Sequence, residues 1–299
     1  DIILEAVAGV EDYVFRTEDS ADSAVMENLF RIMYQNHPVR NNIAGTVESI
    51  EEITADTLKL CHDAFYDPSN LIVCVIGDVD AASIIEQARR LTPAGKKPQF
   101  ERCCGAPEPE QVPVRTIEKQ MEIAMPAFAI GFRCPDAGRG ADAMRMDLIG
   151  EMAGEMLVGE SSKLYQKLYD ENVIDADFSV DYERMKGMAL LELSGDSEDP
   201  RRILREVLAE AARVLETGVD RALLARLKKS VTGRRLRELD GFEGTCYRMC
   251  AYYFDGAEYF DYPEIYASVT AEDVEQFIRE NVKEEQAFLS VITPKREEE

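Results

Sequence analysis

Apolar residues recur three and four apart over Ala24–Tyr34, over a stretch beginning at Thr54 (Leu58, Cys61, Phe65) and over Ala81–Leu91 (Ile84, Ile85, Ala88, Leu91). That spacing predicts three helices. Between the last two lies "LIVCVI", Leu71–Ile76, an unbroken apolar run of strand length. Beyond residue 114 the period changes. Arg115–Ile123 and Ala127–Arg133 predict strands, the second alternating as Phe128, Ile130 and Phe132. Helices are expected at Ala141–Leu157 and Ser161–Glu171. "DFSVDYERMKGMALLELSG" alternates at Phe178, Val180 and Tyr182, then turns at Lys186-Gly187, which predicts a hairpin. Long amphipathic helices follow at Arg201–Glu216 and Asp220–Leu239. Helices gathered against antiparallel strands make the fold class α+β.

One stretch breaks the periodicity. Thr92–Val114 is rich in proline and has no apolar repeat, so it reads as a linker. It divides the chain into residues 1–92, a connector at 93–114, and residues 115–299. A helix-then-strand unit occurs on both sides of it. Thr54 has its counterpart in Thr270, Leu58 in Val274, and the run Ile72–Ile76 in Phe288–Ile292. Every pair is separated by the same 216 positions, without a gap. Each copy opens on a threonine N-cap with an acidic first turn, and Thr270 with Asp273 approaches a capping box. A single offset held across two elements indicates duplication. By that offset the first unit is expected to lack about a hundred residues at its start. The expected architecture is two homologous α+β domains, the first truncated at its N-terminal side.

Composition narrows the partners. The net charge is −24, spread over both halves rather than collected in a tail. A field of that sign repels phosphate backbones and anionic headgroups, so nucleic acid and membrane surfaces are not expected partners. No apolar run approaches the length of a membrane span, and "DIILEAVAGVEDYVF" lacks the basic start of a secretory signal. Seven cysteines, an odd number and several within apolar runs, suggest reduced thiols and a cytoplasmic setting. Cys246 and Cys250 stand one helical turn apart. With no second pair at similar spacing they read as packing residues rather than zinc ligands.

"MYQNHPVRNNIAGTVESIEEIT", followed by "FYDPSNLIVCVIGDVD", resembles the pitrilysin/insulinase-like zinc metallopeptidases, in their processing-peptidase-like branch. "GESSKLYQKLYDENVIDADFSVDYE" is similar to a segment of that family's second domain. The resemblance covers most of residues 20–299. It implies two related domains closing around a peptide-holding chamber. It also implies a zinc endopeptidase whose H-x-x-E-H helix supplies two histidine ligands and a glutamate base.

That chemistry is missing from the sequence at hand. Its two histidines are His37 and His62, without the required spacing. By the resemblance His37 falls in a His-Pro loop that does not bind zinc, and His62 is a packing or surface residue. The family's third zinc ligand is a glutamate to which Glu5, or else Glu11, lies nearest, although a surface glutamate is the plainer reading. A lone carboxylate does not hold zinc. Tyr169 stands where the family offers an arginine to bound peptide. No G-x-S-x-G, P-loop or strand-linked G-x-G-x-x-G is present, and Asp240-Gly241 and Glu243-Gly244 read as flanking a loop. The expectation is therefore no catalytic, cofactor-binding or metal residue in this chain, with zinc belonging to the intact family site. The chain reads as a fragment or inactive member of a zinc metalloendopeptidase family that encloses and processes peptides. Alternatively it is a non-catalytic peptide-binding or scaffolding subunit of an active peptidase. Its expected partners are a peptide substrate or a peptidase subunit, in a homo- or hetero-oligomer such as a dimer.

Overall fold

The computed structural model describes residues 20–92, 103–109 and 112–295. Helix α1 (Ala21–Met33) is capped by the Ser20 side chain, which accepts the backbone N–H of Ser23. The short α2 (Val47–Glu51), then α3 (Ala55–Phe65) and α4 (Ala81–Leu91), complete the first part. Strands β1 (Thr116–Met121) and β2 (Ala127–Cys134) lead to α5 (Ala141–Val158) and α6 (Lys163–Asp170). The hairpin is β3 (Ser179–Met185) and β4 (Met188–Asp196), turning at Lys186-Gly187 as the sequence predicts. Helices α7 (Pro200–Thr217), α8 (Arg221–Glu238), α9 (Phe242–Asp255), α10 (Tyr262–Ser268) and α11 (Ala271–Asn281) precede the closing strand β5 (Ala287–Pro294).

The five strands form one sheet in the order β1-β5-β2-β4-β3, so the last strand of the chain is inserted between the first two. β1 and β5 run parallel and the other pairs antiparallel, giving a mixed sheet. Both faces of its centre are covered. Phe128, Ile130 and Phe132 of β2, with Leu191, Leu193, Leu289 and Val291, face the helical layer built on α5, α7, α8 and α11. The alternate residues, Ala127, Ala129, Leu190, Phe288 and Ile292, face α1 through Val25, Leu29 and Met33. Period-two alternation thus reads apolar on both sides, as in strands buried twice. Gly131 makes room for α1: a Cβ there would lie 2.6 Å from Met33 Sδ.

Three sequence expectations change. Leu71–Ile76 pairs with no strand among the described residues, and Leu71, Val73 and Val75 are exposed. A run is a strand only when a neighbour takes its backbone hydrogen bonds, and its repeat partner β5 has two such neighbours. Glu243-Gly244 lies inside α9 rather than beside a loop. The described part of the connector is tethered instead of free. Both Glu108 carboxylate oxygens accept backbone N–H groups at the end of α1, from Gln35 (2.6 Å), Asn36 (2.9 Å) and His37 (2.7 Å). The two threonine caps form as expected, Thr270 with a full capping box to Asp273.

Candidate functional site

The residues singled out in the sequence do not converge. His37 is buried; its Nε2 donates to the Lys186 carbonyl (2.9 Å) while its Nδ1 accepts the Val39 N–H (3.1 Å). Neither nitrogen keeps a lone pair for a metal, so this histidine is a clamp between the α1 terminus and the β3–β4 turn. His62 is exposed on α3 and stacks on Tyr66 at 5.0 Å. Tyr169 is half exposed on α6, its ring stacked on Tyr165 at 5.9 Å. Glu5 and Glu11 lie outside the described residues. Among those described, no group of three histidine, cysteine or acidic side chains is placed to hold a metal. The donors present do not fit the family zinc, and no chemical step is routed through it.

What the structure assembles instead is a groove along the outer edge of β3. Among the described residues no strand pairs with that edge. Two small residues of α5 let the hairpin lie close against the helix. A Cβ on Gly150 would sit 2.3 Å from the Tyr182 ring, and one on Gly154 would sit 2.8 Å from Val180. Asp147, Glu151 and Glu155 follow one another at four-residue spacing on α5, which places them in one stripe. With Asp181 and Glu183 of β3 and Glu238 of α8 they line a space of about 610 Å³, against the three arginines Arg184, Arg234 and Arg235. Acids outnumber bases two to one in this lining.

The bases are committed. Arg184 holds Asp147 in a two-pronged contact (2.8 and 3.1 Å) and reaches Asp255 of α9 at 2.9 Å. Arg234 pairs with Glu151, and Arg235 with Glu238 at 3.2 Å. Burial raises the carboxyls of Asp147, Glu151 and Glu155 above their usual range, with Arg184, Arg235 and Arg234 opposing. On the hairpin face turned away from α5, Glu192 of β4 stands directly across from Asp181. Burial and the neighbouring Glu183 push its carboxyl up to about 7. Like charges opposed in a sheet cost stability. Sequence reading passed over the groove because carboxylates are everywhere in this chain; the four-residue spacing from Asp147 to Glu155 was the available signal.

The fold has relatives. The description "Peptidase M16 inactive domain" matches residues 52–231. The chain belongs to that peptidase M16 family. It is 31% identical over 288 residues to an uncharacterized zinc protease, YmfH, of Bacillus subtilis, covering 93% of this chain and 65% of that protein. It is 24% identical over 235 residues to the zinc protease PqqE of Helicobacter pylori, covering 76% of this chain and 52% of the relative. The chain thus spans between half and two thirds of the length of these relatives. Among solved structures, an M16-like peptidase from Alicyclobacillus acidocaldarius superposes with a TM-score of 0.91 at 26% identity, over 98% of this chain and 70% of that one. The resemblance to zinc metallopeptidases and the α+β class read from the sequence both hold, and the stretch matched is the family's inactive domain.

Proposed function

We propose that this chain is the peptide-holding unit of an M16 zinc endopeptidase, and that it takes an extended, cation-bearing peptide by strand addition along β3. One observation carries the reading: an unpaired sheet edge runs beside a groove in which six carboxylates face three arginines. Backbone hydrogen bonds from the edge would give affinity to any extended chain, and the acidic lining would select lysine and arginine side chains. Hydrolysis belongs in this reading to zinc-bearing residues elsewhere, on the same polypeptide or on a partner subunit. Relatives named as zinc proteases, together with a subunit of a mitochondrial processing peptidase among the matches, support that division of labour. The partner is accordingly a peptidase unit of the same family, in a homo- or hetero-oligomer. A cytoplasmic location is part of the same proposal and rests on the seven unpaired thiols.

The test is fluorescence anisotropy with a labelled, arginine-containing extended peptide. Binding is expected to weaken steeply between low and high salt, and at least about tenfold in the double variant Asp181→Lys, Glu183→Lys. Methylating alternate backbone nitrogens of the peptide should also weaken it. Equal binding of an acidic peptide of the same length, or no effect of the charge reversal, would overturn the proposal.

A further inference from the structure

The segment Leu71–Ile76 is unpaired as a strand, yet it is not free of contacts. Cys246, on α9, lies with its Sγ 3.9 Å from the Cys74 carbonyl oxygen. Burial, and the neighbouring Cys74, raise the Cys246 thiol. By the 216-residue offset Cys74 is the counterpart of Ser290 in β5, and Cys246 the counterpart of Phe30 in α1. Helix α1 packs across β5, and α9 touches the first unit's run at Cys246 and Cys74. Only one of these two related contacts places a thiol on each side.

We propose that Cys74 and Cys246 are a disulfide-forming pair, a covalent staple between the two repeats that closes when a low-molecular-weight disulfide is supplied. One thiolate attacks the small disulfide, forming a mixed disulfide and releasing one small thiol. The second thiolate then displaces the other small thiol, creating the Cys74–Cys246 bond. Two protein thiols are oxidised and one small disulfide is reduced to two thiols; the protons pass through solvent to the departing thiolates. Two of the remaining cysteines, Cys250 and Cys134, compete poorly. Cys246 and Cys250 are four apart on a helix, where Cβ atoms stand about 5–6 Å apart, beyond the roughly 3.5–4.5 Å that a disulfide needs. Cys134 is buried in β2, and burial pushes its thiol up to about 12, which leaves it inert.

The reduced chain should be incubated with glutathione disulfide, its free thiols counted, and its peptides mapped by mass spectrometry without reduction. The expected result is a loss of two free thiols per chain, one cross-linked peptide pair containing Cys74 and Cys246, and a higher Tm that dithiothreitol reverses. Cys250→Ser should leave all three readouts intact, whereas Cys246→Ser and, separately, Cys74→Ser should abolish the cross-link and the Tm rise. A full complement of thiols, stable glutathione adducts at both positions, or a bond mapped to any other pair would overturn the staple. Because the two single variants alter different elements, misfolding of one leaves the other to decide.

Discussion

Glu108 and Glu192 are two carboxylates whose surroundings drive them in opposite directions. Burial works against the Glu108 charge, but three backbone N–H groups at the end of α1, with Arg133 nearby, outweigh it and hold its carboxyl below the usual range. A carboxyl depressed on folding contributes stability above its unfolded pKa and loses it as pH falls through the folded value. Wild-type stability should therefore drop below about pH 5, and Glu108→Gln should flatten that drop while costing about 1–2 kcal/mol at neutral pH. For Glu192 the sign reverses. Its folded carboxyl lies at about 7, raised by burial and by Glu183, so the stability it lends is present in acid and lost as pH rises through 7. Glu192→Gln should be more stable than wild type at pH 8, by on the order of 1–3 kcal/mol, and no more stable at pH 4. Urea unfolding across the pH range checks both substitutions, and parallel curves for either variant and wild type would refute the corresponding assignment.

At the scale of elements, the approach of α5 to the hairpin decides where the groove lies. Helix propensity alone would make Gly150→Ala stabilising by about 1 kcal/mol, since it replaces a mid-helix glycine. The Tyr182 ring occupies the space the new methyl would need. The variant should instead lose about 1–3 kcal/mol and loosen the hairpin. Urea unfolding with hydrogen exchange over Ser179–Met185 reads both effects; a gain in stability would mean that the ring yields easily. Helix α9 escaped the periodicity because its apolar positions do not gather into one stripe: Phe242, Tyr247, Tyr253 and Phe254 are all exposed, and Thr245 is its one buried residue. Arg184 nonetheless ties its end to α5 and β3 through Asp147 and Asp255. Replacing Arg184 leaves two carboxylates facing each other, so Arg184→Met is expected to lower stability, which urea unfolding reads.

For the whole molecule, charge and metal chemistry set the expectations. With His37 committed at both ring nitrogens and His62 alone on the surface, one equivalent of Zn²⁺ should leave the Tm of this chain unchanged. A rise of several degrees, reversed by chelator, would reveal a site that these donors do not describe. The net charge of −24 should speed the arrival of cationic peptides and slow it with added salt. Stopped-flow association rates at several ionic strengths measure that directly.

Much of the architecture follows from local pattern. Ala81–Leu91, the β3–β4 hairpin with its turn at Lys186-Gly187, and both threonine caps stand where period and capping chemistry placed them. The family motifs and the 216-residue repeat are also properties of the chain as written. These features depend on residues within a few positions of one another, or on an offset that survives any folding. Tertiary structure decided the rest. Nothing local distinguishes Leu71–Ile76 from Phe288–Ile292, yet among the described residues one run is unpaired and the other lies inside a sheet, because pairing depends on distant neighbours. The insertion of β5 between β1 and β2, the placement of α1 across the far face of the sheet, and the contact of Cys74 with Cys246 have the same origin. So does the groove. Its carboxylates are ordinary solvated acids in the sequence, and they line a groove only because Gly150 and Gly154 let one helix lie close to a strand edge that no described strand pairs with.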